Sequence, residues 1–384
     1  MNTKQLLEAI NDIVKEKQIE REVIITAIED GFKKAYEKHF DPEAIIHVDV
    51  NEEAGTITCH KEIYVVDEVE DDLLEVTVEE AKEKYGVDKE VDDVILERID
   101  ESNFSRLAII QVGQIIKQQI KQAEKESIYE ELKDRKESMM HGIVTHAEQK
   151  YLLVEFERTF AYIPSSNLMY GDKFQEGDQI QFIAEDISND KNAGQITGSR
   201  ASNDFLLHVL QTEIPEIFEK IVTVHAISRD PGKRSKIAIS SNDENIDPIG
   251  ACVGKNGQRI ASVSEKLNGE KIDISLYDED PIKFIVNSFS PVKVLSVNIV
   301  NEEDKEVDVV VPDEQLSLSI GKRGMTAKLV VFLTGWRMNI INKTEAEERN
   351  IPIHWNGAIK ENEYDSFIEE LHKKTTYKNH INKE

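Results

Sequence analysis

The feature that most constrains this 384-residue chain is a short pattern written twice in its C-terminal half. The first copy reads Val253-Gly254-Lys255-Asn256-Gly257, an apolar run to Leu267, then Asn268-Gly269-Glu270-Lys271-Ile272-Asp273-Ile274. The second reads Ile320-Gly321-Lys322-Arg323-Gly324, a run to Leu333, then Thr334-Gly335-Trp336-Arg337-Met338-Asn339-Ile340. The two align with one single-residue gap, as a duplicated unit does. Two glycines three apart let a backbone approach another chain with no Cβ in the way. Each turn opens a helix, whose first N–H groups and dipole favour phosphate. Lys255, Lys322 and Arg323 add positive charge at that point.

Each unit is a helix, a basic Gly-x-x-Gly turn, a second helix and a closing strand. That is the pattern of the KH module, whose loop clamps about four backbone nucleotides of single-stranded nucleic acid. Upstream, residues 202–240 read helix, strand (Ile221 to Ser228), strand (Ser235 to Ser240). Residues 281–311 repeat the order, with a helix over 282–289 and strands over 292–300 and 306–311. This is the type II arrangement. Arg259 and Lys328, on the helices that follow the loops, extend the predicted RNA-binding set. The segment Arg229-Asp230-Pro231-Gly232-Lys233-Arg234-Ser235-Lys236 is predicted to be a hairpin turn carrying four cations, Arg229, Lys233, Arg234 and Lys236. These are RNA contacts or an ordinary solvated turn.

The remainder implies several domains, since the chain is too long for one core. Helical periodicity marks two helices over residues 3–38, first through Leu6, Leu7, Ile10, Ile13 and Val14, then through Val23 to Tyr36. Residues 45–50 alternate as a strand, and Glu53-Ala54-Gly55 turns into a second. Thr77-Val78-Glu79-Glu80 carries a capping-box pattern. Residues 103–135 form a long connector helix with Leu107, Ile110, Val112, Ile115, Ile116 and Ile120 on its apolar side. From Met139 to Arg200 the texture changes to five short strands, which fit a small OB-type barrel. Tyr151, Phe156, Phe160 and Tyr162 on its second and third strands are core residues or base-stacking candidates. The segment 344–384 reads as a polar tail, partly disordered, with a weak helix over 362–373. The fold class is therefore multidomain α+β: an α/β front domain with its connector (1–135), the barrel (136–200), KH modules at 201–277 and 278–343, and the tail.

The net charge of −28 sits oddly with RNA until it is divided. Residues 1–135 hold 18 basic and 35 acidic side chains, whereas residues 201–343 hold 17 and 21. An acidic front suits a basic protein surface and a balanced rear suits RNA, although acidity that merely keeps the chain soluble would look the same. No apolar run approaches the ~18 residues of a membrane span. Cys59 and Cys252 are far apart with no CxxC, which points to a reduced cytoplasmic protein with no metal site and no cofactor. The motifs of nucleotide hydrolysis, zinc proteases and serine hydrolases are absent. His39, His47, His141, His146 and His225 have no partner at ligand or triad spacing, so the chain reads as a non-enzyme.

Several runs carry a resemblance: Ser199-Arg200, Glu213-Ile214-Pro215-Glu216-Ile217, the Arg229 to Ile237 hairpin, Asp247-Pro248-Ile249-Gly250-Ala251-Cys252-Val253-Gly254, and Leu333-Thr334-Gly335-Trp336. In the front third, Ala27 to Tyr36 and Arg106-Leu107-Ala108 add to it. Over residues 1–343 the chain resembles the NusA family of bacterial transcription factors. That resemblance implies a front domain docked on RNA polymerase, and behind it an S1-type barrel and two KH modules that take nascent single-stranded RNA. It also implies a monomer that modulates pausing, intrinsic termination and antitermination, with other elongation factors as possible partners. Two departures stand out. After the second GxxG the family commonly has Gln-Asn, and this chain has Met325-Thr326; the acidic C-terminal repeats of some members have no counterpart. The alternatives are an RNA-processing protein, such as a nuclease with KH and S1 accessories, and a ribosome-associated RNA protein.

Overall fold

A computed structural model of the chain describes residues 12, 14–15, 19–40, 42–51, 56–99, 106–189 and 195–381. The predicted helix through Leu6, Leu7, Ile10 and Ile13, the turn Glu53-Ala54-Gly55, residues 103–105 and the side chains of Leu107 and Val112 lie outside the described residues. Two compact units result, residues 1–134 with 188–195 and residues 135–187 with 196–384. Among the described residues no helix is long and apolar enough to cross a membrane.

In the first unit, helix α1 (Arg21–His39) follows the predicted periodicity. Its Ile24 and Ile28 are buried against Ile116, Ile120 and Ala123, with Val50 and Ile57 of the sheet in the same cluster. Strands β1 (Ile46–Asn51), β2 (Thr56–Val66), β3 (Glu75–Thr77) and β4 (Val94–Ile99) form that sheet, in which β2 pairs with all three others. Helix α2 (Val78–Tyr85) opens with the expected capping box, Thr77 accepting from the Glu80 backbone while the Glu80 side chain accepts from that of Thr77. The long helix, α3, runs from Arg106 to Leu132.

The second unit begins with β5 (Met139–Ala147), β6 (Tyr151–Phe156), β7 (Thr159–Pro164), β8 (Gln179–Ile187) and β9 (Ile196–Ser199), which close into a barrel in the order β5-β6-β7-β9-β8. Alternation buries Leu152, Val154, Ala161, Ile163, Ile180 and Phe182 inside it. Helix α4 (Asn203–Glu213), capped by Ser202, and the short α5 (Pro215–Phe218) then lead into the first three-stranded sheet. There β10 (Val222–Asp230) runs antiparallel to β11 (Arg234–Ser241), which is parallel to β12 (Lys271–Leu276). Met169 and Ile183 of the barrel bury in the same cluster as Phe205, Leu206, Leu210, Ile237 and Ile239, so barrel and first KH module share a core.

The second module repeats the sheet with β13 (Ser296–Asn301), β14 (Glu306–Val311) and β15 (Arg337–Asn342). The register repeats too. Arg234 pairs with Lys271 in the first copy, and Glu306 with Arg337 in the second. Counting from these pairs, Ala238 and Val310 are equivalent, each on the face of its sheet turned away from its own helices. Ala238 is buried against Phe284 of helix α8 (Pro281–Ser288) and Leu333, both from the second module.

Val310 is covered by the C-terminal segment, whose apolar residues pack on the sheet although the sequence reads there as a polar tail. Ile359 is buried with Leu295, Val310, Ile341 and Ala346, and Ile351, Ile353, Trp355, Tyr364 and Phe367 pack around them. Asn356 behaves like one residue of a strand pair. Its Nδ2 donates to the Val297 carbonyl and its Oδ1 accepts from the Val297 N–H, both at 2.9 Å. Ile351, Ile353, Trp355 and Ile359 alternate with exposed residues as a strand does, a short signal inside an otherwise polar segment. Ile359→Ala should destabilise the second unit by about 2–5 kcal/mol in a denaturant titration. Glu361→Ala, at an exposed neighbouring position, should change stability by less than about 0.5 kcal/mol.

Candidate nucleic-acid interface

Both loops are built in the same way. Helix α6 (Pro248–Val253) starts on proline, with Asp247 accepting from the Ile249 and Gly250 N–H groups, and it stops at Gly254 (φ 71°, ψ 178°). Asn256 (φ 55°, ψ 25°) and Gly257 (φ 76°, ψ 12°) reverse the chain into helix α7 (Gln258–Lys266). In the second copy helix α9 (Leu316–Ile320) ends at Gly321 (φ 76°, ψ 173°). Arg323 (φ 55°, ψ 32°) and Gly324 (φ 73°, ψ 12°) then lead into helix α10 (Met325–Thr334). Left-handed backbone at the same positions explains the spacing of the glycines.

The glycines of each pair do different work. A Cβ at Gly254 would lie 2.8 Å from Cγ of Arg259, and one at Gly321 would lie 2.9 Å from the Thr326 backbone nitrogen. A Cβ at Gly257 or Gly324 would meet nothing within 4 Å. The first glycine is thus needed for internal packing, and the second leaves an open face that a sugar-phosphate chain can approach. The glycines that precede α7 and α10 supply no side-chain cap, and the first N–H of each helix donates to the loop carbonyl of Lys255 or Lys322. Lys255, Asn256, Lys322, Arg323 and, one turn on, Lys328 are exposed. Burial pushes the thiol of Cys252, just ahead of the first loop, up to about 12, so it is an inert core group.

Three of the predicted contacts change meaning. Arg229 and Glu270 form a buried ion pair at 2.9 Å, with side chains 1% and 0% exposed. Arg229 Nη1 also donates to the carbonyls of Arg200 and Ser202. Lys236 is buried as well, 3.5 Å from Asp273 and donating to the Ser290 carbonyl, and burial pushes its ammonium down from its ordinary range. Neither can reach a phosphate. Arg234 binds both oxygens of Asp273 in a half-buried pair, and Lys233 pairs with Asp230 at 3.2 Å nearer the surface. Arg259 is a brace, donating to Glu216 at 2.9 Å and to the Ala251 carbonyl at 2.7 Å.

Comparison with known proteins agrees with this layout. The NusA N-terminal domain model matches residues 5–126, the NusA-like first KH domain residues 200–277, and the NusA-like second KH domain residues 281–348. The transcription termination/antitermination protein NusA of Bacillus subtilis is 38% identical over 347 residues, covering 90% of this chain and 93% of its own. That of Halalkalibacterium halodurans is 38% identical over 344 residues (90% of both chains), and that of Thermus thermophilus 35% over 346 (87% and 88%). The chain belongs to the NusA family.

The family matches span both loops but leave residues 127–199, which hold the barrel, uncovered. There Phe156 is a core residue, edge-on to Phe182 at 6.5 Å, which removes it from the stacking candidates. Phe160 and Tyr162 face outward, and Tyr162 lies 5.2 Å from Tyr151. Among the described residues no three His, Cys, Asp or Glu gather in a metal-holding group. Among the exposed aromatics that the sequence did not single out are Tyr170 and Phe332, which are 70% and 67% exposed. Phe332 is hidden in the apolar run to Leu333, and its signal is that it falls off the face formed by Leu329, Val330 and Leu333.

Arg229→Ala should leave Glu270 charged and unpaired, lowering stability by about 3–5 kcal/mol. In the fraction that folds, the salt dependence of RNA binding should equal that of the unaltered chain. A loss of salt slope without a loss of stability would return Arg229 to the phosphate contacts.

Proposed function

We propose that this chain is a transcription elongation factor that holds nascent single-stranded RNA on its KH loops and barrel while its front domain contacts RNA polymerase, and so modulates pausing, termination and antitermination. The carrying observation is the pair of loops with matching left-handed backbone, each with an open second glycine, an uncapped helix start and outward cations. On this reading the contacts are Gly254, Lys255, Asn256, Gly257, Gly321, Lys322, Arg323 and Gly324, with Lys328 and Lys233 beside them. The chemistry is electrostatic and steric, with no bond made or broken. The excess of acid in residues 1–135 supports a protein partner there, since that surface repels RNA.

Charge reversal tests the loops. Lys255→Asp with Asn256→Asp, and separately Lys322→Asp with Arg323→Asp, should weaken binding of a labelled RNA of ~20 nucleotides, and each lost phosphate contact should lower the salt slope of log K by about 0.7. The first pair should cost more, because Met325-Thr326 supplies less polar contact after the second loop. Both proteins should fold normally and still capture RNA polymerase after RNase treatment. Unchanged affinity and slope in both would reduce the loops to ordinary turns.

A further inference from the structure

A groove of about 550 Å³ lies where helix α10 of the second KH module packs on strand β10 of the first, lined by Asp230, Lys233, Lys322, Arg323, Lys328 and Phe332 among others. Both walls belong to the second compact unit. We propose that this groove is a nucleotide subsite in which Phe332 stacks a base of the strand passing between the two KH modules. The proposal rests on the RNA-binding reading above and adds to it a base-stacking site beside the second GxxG loop.

Three observations converge on a nucleotide. The cations on the walls come from different modules, Lys233 (paired with Asp230) from the hairpin and Lys322, Arg323 and Lys328 from the second loop and its helix, so a polyanion in the seam meets net positive charge on the second module's wall. The only carboxylate among the groove's lining residues, Asp230, is already engaged by Lys233 at 3.2 Å. The groove also holds a flat apolar surface. Phe332 is 67% exposed while its helical neighbours Leu329, Val330 and Leu333 are buried, and Lys328 Nζ lies 5.7 Å from its ring centroid.

The rim repeats the device. Tyr170, 70% exposed, has Lys233 Nζ 5.4 Å from its ring centroid. It is held in place by its backbone N–H, which donates to the Pro231 carbonyl, and by Gly232, where a Cβ would fall 2.3 Å from the Tyr170 oxygen. A ring flanked by a cation offers a base a π-face and the adjoining phosphate a counter-charge. An acidic peptide would use the cations but would have no need of the ring.

The test uses the full chain and a labelled single-stranded RNA of ~20 nucleotides of mixed sequence, titrated at several salt concentrations. Phe332→Ala should weaken binding by about 5- to 150-fold, the range of one lost base stack, with no change in salt slope. Phe332→Trp should bind like the unaltered chain, and Phe332→Leu should resemble the alanine variant. Lys328→Gln should instead lower the salt slope by about 0.7. Melting temperatures of all four should match, since both positions are exposed. If Phe332→Ala keeps full affinity, or if Phe332→Leu restores it, base stacking in the groove is wrong while the loops remain in play. If the unaltered chain binds no RNA, the reading beneath the groove falls and the groove with it.

Discussion

The carboxylate of Glu270 is the constraint on which the second unit turns. Fully buried, it accepts from Arg229 Nε and Nη2, from the Gly232 N–H at 2.7 Å and from the Ser235 hydroxyl. A buried charge is tolerable only when its hydrogen bonds are met, so this group fixes the conformation of the β10–β11 hairpin. Arg229 passes the constraint on to the carbonyls of Arg200 and Ser202, where the barrel ends and the first KH module begins. A second pair works beside it. Arg200 donates to Asp172, which also accepts from Asn268 at 2.7 Å and from the Met169 N–H at 2.9 Å. Barrel and module thus form one body before the first loop is reached.

From there the architecture propagates like a short repeat array, in which each unit buries the face that its predecessor exposes. Phe284 and Leu333 cover Ala238, and the C-terminal segment covers the equivalent Val310. The two copies diverge where their neighbours differ. Glu270 has Trp336 as its counterpart, placed in the second module's own core. Where the first hairpin is locked into the barrel through Pro231 and Gly232, the second carries exposed Glu302, Glu303 and Asp304. Acid at that end and base at the loops confine the cationic surface to one side of the repeat.

Much of this was legible in sequence because it is local. The glycine spacing, the Thr77 capping box, the proline-started helices and the alternation along the barrel strands each depend on residues within a few positions of one another. The hairpin was misread because residue type alone says that a side chain is charged and not what it meets; the partner of Arg229 lies 41 positions away. Phe156 shows the same limit, since alternation leaves open which face is the interior. The C-terminal cap was missed for another reason. Its apolar residues, Ile351, Ile353, Trp355 and Ile359, alternate as in a strand, but they lie in a mostly polar segment and the sheet face that they cover exists only once the fold has formed.

The central claim is that the two loops are presented by a single rigid body to one RNA strand. Cys59 and Cys252 are buried, so spin labels placed by Glu265→Cys in the first KH module and Glu303→Cys in the second, both exposed acids outside the cationic surface, would attach selectively. The inter-label distance distribution should be single and narrow, and it should stay in place when a ~20-nucleotide single-stranded RNA is bound to saturation. A broad or divided distribution in the free protein, or one that moves on binding, would contradict it.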